Sequence, residues 1–186
     1  MSESDLRYYK VLYGYYTDDW DWAYGTFSNN HYVLDEDYIS DGCSCTESSK
    51  ASVSGGIKFL YPFHIKKVYF IEGTIKGHIT LTCSSATSTV TAYRVTVCSI
   101  NEDTTDTELY TSGWVTVNDS LDWDSTYGVG EEKVYPFWID AWEKSKLSEK
   151  DRIYVKVEVN ADMWCYLLHT NDSTWEDLKI EIPIVM

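Results

Sequence analysis

The stretch YYTDDWDWAY, residues 15–24, sets three carboxylates, Asp18, Asp19 and Asp21, among five rings, Tyr15, Tyr16, Trp20, Trp22 and Tyr24. Flat rings beside acids suit several chemistries. Sugars stack their apolar faces on such rings while carboxylates accept hydrogen bonds from the hydroxyls. Clustered carboxylates offer oxygen ligands to calcium. Two carboxyls about 5 to 10 Å apart across a cleft hydrolyse glycosidic bonds. Tyr and Trp are also the usual anchors of protein interfaces.

Other motifs fall short of a site. Asp35, Asp37 and Asp41 precede Gly42, but a calcium loop starting at Asp37 would place Ile39 and Ser48 where oxygen ligands belong, the last normally a bidentate Glu. Cys43-Ser44-Cys45 lacks the second ligand pair of a structural zinc site. No G-x-S-x-G elbow is present, no motif calls for a cofactor, and His31, His64, His78 and His169 stand apart in sequence. Asp122-Trp123-Asp124 is a second aromatic-acidic cluster. Asn118-Asp119-Ser120 and Asn171-Asp172-Ser173 are N-glycosylation sequons in expected loops. No residue is assigned a catalytic or metal-binding role, and the expectation is that the chain is not an enzyme.

The composition narrows the partners. A net charge of −15 over 186 residues argues against nucleic acid or an anionic membrane, because phosphates need basic neighbours. The start, MSESDLRYYK, has no apolar signal segment, and no run approaches the roughly 18 to 20 apolar residues of a membrane span. Five cysteines cannot all pair within one chain. Eight Trp and sixteen Tyr exceed what one core of this size consumes, so some rings belong on contact surfaces.

The elements that must carry these residues are strands. Residues 74–83 alternate Ile75, Gly77, Ile79 and Leu81 with Thr74, Lys76, His78 and Thr80, the period-2 pattern of a strand with one face inward. Residues 89–99, 152–160 and 178–185 read the same way, 64–73 reads as a strand on the β-branched and aromatic run Val68-Tyr69-Phe70-Ile71, and 163–170 as a shorter, more fully buried run. Residues 107–119 read as a strand kinked at Gly113, and Pro183 predicts an edge or a bulge in the last strand. Residues 135–150, YPFWIDAWEKSKLSEK, have mixed spacing with Glu143 and Lys146 three apart and predict one short helix. The expected fold is all-β: an antiparallel β-sandwich of jelly-roll type over 57–186, with an aromatic-rich arm and linker over 1–56. The alternative for the first segment is an extra strand pair packed on the same domain.

An acidic, Tyr-rich arm, the strands TVTAYRVTVCSINEDTTDTELYTSGW and a closing LKIEIPIV together resemble small virion structural proteins of bacterial and archaeal viruses. The resemblance implies a non-enzymatic capsid, decoration or tail-associated subunit, made in the cytoplasm without a signal peptide and displayed on an extracellular particle. Its partners would be copies of itself and other virion proteins. The residues expected at the interface are Tyr8, Tyr9, Tyr13, Tyr15, Tyr16, Asp19, Trp20, Asp21 and Trp22. The alternatives are a carbohydrate-binding module or adhesin using Trp20, Trp22, Trp123 and nearby acids, and a glycoside hydrolase.

Overall fold

A computed structural model describes residues 7–16, 32–36, 47–49, 56–83, 85–103, 105–163, 165–168 and 178–185. Among these residues fourteen strands follow in chain order: β1 (Arg7–Tyr16), β2 (Tyr32–Asp35), β3 (Glu47–Ser49), β4 (Ile57–Leu60), β5 (Tyr69–Cys83), β6 (Ser88–Ile100), β7 (Asp106–Thr111), β8 (Val115–Leu121), β9 (Trp123–Asp124), β10 (Val129–Gly130), β11 (Lys133–Leu147), β12 (Arg152–Ala161), β13 (Cys165–Leu167) and β14 (Leu178–Val185). The all-β expectation holds, and the described residues contain no helix.

Twelve strands form a single sheet whose backbone path runs β3-β13-β5-β14-β1-β2-β4-β12-β6-β7, with β11 added to β5 and β8 to β6. All the pairings are antiparallel except the contact of β2 with β4 at Val33 and Leu60. The path bends back on itself, so its two leaves share one core. Ile71, Ile75 and Ile79 of β5, Phe137 and Ile139 of β11 and Leu178 to Ile184 of β14 supply one leaf. Tyr93, Val95 and Val97 of β6 and Ile153 to Val159 of β12 supply the other. The remaining gap, between β11 and β6–β7, is bridged by phenols rather than by a ladder. Tyr93 donates its hydroxyl to the carbonyl of Pro136, and Tyr110 donates to that of Glu143.

The segment expected to be helical is the edge strand β11. Its burial alternates: Tyr135, Phe137, Ile139 and Ala141 are buried while Pro136, Trp138, Asp140 and Trp142 are exposed. Period 2 therefore governs the segment, and a register shift between Ala141 and Ser145 blurs it in the sequence. Pro136, which has no N–H for a ladder, is tolerated on such an edge. The segment read as an arm also enters the sheet, since β1 lies between β14 and β2. Gly113, with φ 63°, makes the anticipated kink, turning the chain between β7 and β8 along the same edge of β6. The β14 ladder on β5 shifts register between Glu181 and Ile184, the irregularity Pro183 foretold.

Close approach at β5 sets the spacing of the first leaf. A Cβ on Gly77 would lie 2.0 Å from the Lys179 carbonyl and 2.7 Å from the tip of the Phe137 ring. Phe137 fills the space that Gly77 leaves. On the outside of the second leaf, Arg94 forks onto Glu158 with bonds of 2.6 and 2.8 Å, and Lys156 reaches Glu108 at 2.9 Å. The Arg94 hydrogen bonds outweigh burial and hold the Glu158 carboxyl below its ordinary range.

Two outcomes follow. Phe137→Ala empties a fully buried site and is expected to cost about 3 to 5 kcal/mol, read from the urea midpoint. Glu158 has a depressed folded pKa, so its stabilisation is present above the unfolded value of 4.5 and is lost as pH falls through the folded one. Urea titrations at falling pH are expected to show wild type losing stability below that value, with Glu158→Gln less stable at neutral pH and less sensitive to acid.

Candidate functional site

Two surfaces stand out. The first is a cavity of about 240 Å³ at one end of the sandwich, lined by Tyr8, Lys10, Tyr61, Phe63, His64, Ile65, Lys66, Tyr69, Ile153 and Ile184. Its position follows from the chain: β1 and β5 begin there, β14 ends there, and Pro62 stops β4 so that residues 61–68 cross the end as a loop. That loop is stapled to the turn before β12. Tyr61 N–H donates to Ile153 O at 2.9 Å, Ile65 N–H to Asp151 O at 2.8 Å, and Lys150 N–H to Ile65 O at 2.8 Å.

The side chains are fixed as well. His64 Nδ1 lies 2.7 Å from the Lys150 carbonyl and Nε2 lies 2.8 Å from Nη2 of the buried Arg152. A carbonyl only accepts and a guanidinium only donates, so the proton sits on Nδ1. Both nitrogens are occupied, which leaves no lone pair for a general base. Glu36 accepts from both Lys10 and the Tyr61 hydroxyl, and the Lys10 ammonium lies 4.6 Å from the Tyr61 ring centre. Burial works against the Glu36 carboxylate, but these two hydrogen bonds outweigh it and lower its pKa. Burial, with Tyr69 beside it, pushes the Tyr8 phenol up to about 12, and burial and Glu36 push Tyr61 up too.

The second surface is the outer face of β11. Val134, Trp138 and Trp142 are 47%, 64% and 72% exposed, in line with Pro136 and Asp140. Across the sheet the face continues into Lys76 and Glu181, which pair at 3.0 Å, and into Tyr9, whose ring lies 5.6 Å from the Lys76 ammonium. The polar part is thus internally neutralised and the aromatic edge is not covered.

The structure sorts the residues expected from sequence. Tyr8 lines the cavity, Tyr9 is exposed on the sheet face, and Tyr13 is half-buried with the Lys179 ammonium 5.8 Å from its ring centre. Tyr15 and Tyr16 end β1, but their side chains, together with Asp19, Trp20, Asp21, Trp22 and Asn171, lie outside the described residues. Asn118 is exposed at φ 50° where the β8 ladder shifts register. Asp122, Trp123 and Asp124 border an open depression. There Asp124 is spent on its own turn, accepting from the N–H groups of Thr126 and Tyr127, and Asp122 accepts from the Ser120 hydroxyl. Among the described residues no group of three or more His, Cys, Asp or Glu is placed to hold a metal. Lys10, Glu36, Tyr61, Phe63, Lys66 and Tyr69 had no site role in the sequence reading; for Tyr61, Phe63 and Lys66 the signal was the aromatic–Pro–aromatic run FLYPFHIKK (59–67).

No family model and no curated protein matches the chain. Among solved structures it is similar to a CocE/NonD family hydrolase from Staphylococcus aureus, at TM-score 0.62 and 11% identity, over 97% of this chain and 37% of that one. It is also similar to an aminopeptidase from a marine sediment Thaumarchaeota archaeon, at TM-score 0.58 and 9% identity, again over 97% and 37%. At these identities the likeness establishes the fold, and the chain spans a little over a third of each protein. The expectation that the chain is not an enzyme is corrected here, because the chains whose fold it shares are a hydrolase and an aminopeptidase. A match to the infectious bursal disease virus VP2 particle has a TM-score of 0.32, which is too low to support the virion resemblance.

Tyr61→Phe removes one hydrogen bond to the charged form of Glu36. The Glu36 pKa is then expected to rise toward 4.5, measured by carboxyl ¹³C NMR titration of wild type and variant.

Proposed function

We propose that this chain is the β-sandwich portion of a hydrolytic enzyme, seated through the Val134–Trp142 face on the portion that carries the nucleophile. The observation supporting this reading is the match of nearly the whole chain to about a third of two hydrolytic proteins. The exposed aromatic edge agrees with it, since uncovered Trp side chains in line on a flat sheet favour a protein contact. The described side chains agree too. His64 has both nitrogens engaged. Cys98 and Cys165 are buried with their thiols pushed up to about 11 and about 12, which leaves little thiolate. The reading therefore assigns the nucleophile to the remainder of such an enzyme.

The same aromatic edge favours a second reading, association with copies of this chain in a virion particle. One experiment separates them. The affinity-tagged chain, isolated from its native cells with whatever it binds, is assayed on p-nitrophenyl esters and aminoacyl p-nitroanilides and sized by light scattering. Under the first reading hydrolysis accompanies the chain, and the double variant Trp138→Asp, Trp142→Asp, altered only at exposed positions, loses at least about tenfold of it, roughly 1.4 kcal/mol of association. A regular homo-oligomer that hydrolyses neither substrate, and that the double variant dissociates, overturns the first reading in favour of the second.

A further inference from the structure

We propose that the end cavity is a binding site for a small organic carboxylate with a flat apolar body, such as an aryl or arylalkyl acid. Its floor is Ile153 and Ile184 and its walls are Tyr8, Tyr61 and Tyr69, an apolar slot for one ring. Phe63 stands at the mouth, half exposed, edge-on to Tyr61 with ring centres 5.5 Å apart. A phenylalanine held open to water by a stapled loop gains burial when a ring slides against it.

Charge selects the other end of the ligand. Lys10 is spent on Glu36. Lys66 also lines the cavity, is exposed, and makes no ion pair with a described residue. In a chain of net charge −15 a lysine with no carboxylate partner among the described residues, beside an apolar slot, is a place for an anion. Four aromatic rings around one space also suit a quaternary ammonium. Here that alternative is disfavoured, because Lys10 already occupies the Tyr61 ring and Lys66 adds a second positive charge. A doubly charged phosphate would meet a single unpaired ammonium and three apolar walls, so a monoanion fits better. The slot is preformed, with Tyr61, His64 and Ile65 already fixed, so little ordering opposes binding.

The inference stands on the cavity and is independent of the hydrolytic reading. The test is calorimetric titration of the full chain with phenylacetate, and with phenethylamine as the charge-reversed probe of similar shape. Saturable phenylacetate binding at least about tenfold tighter than phenethylamine is expected. Lys66→Glu should weaken it at least about tenfold, roughly 1.4 kcal/mol of screened ion pairing. Phe63→Ala should weaken it as well, while both variants keep the wild-type circular dichroism because both positions are exposed. Absence of saturation by phenylacetate, equal binding of the two probes, or indifference to Lys66→Glu overturns the proposal. Tighter binding of phenethylamine does so too, and identifies a cation cage instead.

Discussion

The seating of Phe137 against the bare backbone of Gly77 is the constraint on which the rest of the fold depends. β5 carries two ladders along most of its length, β11 on one edge and β14 on the other. Any side chain at position 77 would collide with the Lys179 carbonyl and with the Phe137 ring, driving the two neighbours of β5 apart. With glycine there, Phe137 packs over the strand axis and Ile75 and Ile79 flank it in the same core. That fixes the height of β11 above the second leaf. At that height the Tyr93 and Tyr110 hydroxyls reach the β11 carbonyls and bridge the seam. The protected edge then leaves the opposite face of β11 outward, which is why Trp138 and Trp142 are in water.

Alternation made the leaves legible. Where apolar side chains alternate with polar ones, as in 74–83, 152–160 and 178–185, a one-residue slip would turn the apolar set away from the core, so sequence and register speak together. β11 failed that test for a local reason. Trp138 and Trp142 sit on its outer face, so hydrophobicity is high on both sides and the period is hidden. The bulge after Ala141 then shifts the phase just where Glu143 and Lys146 suggest helical spacing. Solvent-facing tryptophan is the feature that misleads, and it is also the feature on which the proposed contact surface rests. Local rules break where a surface serves something other than folding.

The end cavity was illegible for a different reason. Its walls come from the start of β1, the loop after β4, the start of β5 and the end of β14, so its members lie from Tyr8 to Ile184. No spacing rule connects them. Only Tyr8 had been singled out, and for an interface. Residues 64–68 read as the start of a strand, whereas Pro62 ends β4 and β5 begins only at Tyr69, so 61–68 form a loop. What makes the loop a structure is backbone pairing with Lys150, Asp151 and Ile153, nearly ninety positions away.

The two surfaces differ in what they exclude, and that difference assigns their occupants. The β11 face is flat, its charges at Lys76 and Glu181 are already satisfied, and its uncovered part is aromatic. An extended protein surface laid on it would bury several rings at once. The cavity is the reverse: about 240 Å³, walled by rings, and lined by one ammonium, that of Lys66, which no described carboxylate pairs. Lys10 and Glu36 show how that asymmetry is maintained. Glu36 neutralises Lys10 and anchors Tyr61, so the same pair that builds the wall removes one cation from the slot and leaves Lys66 as the charge that selects the ligand.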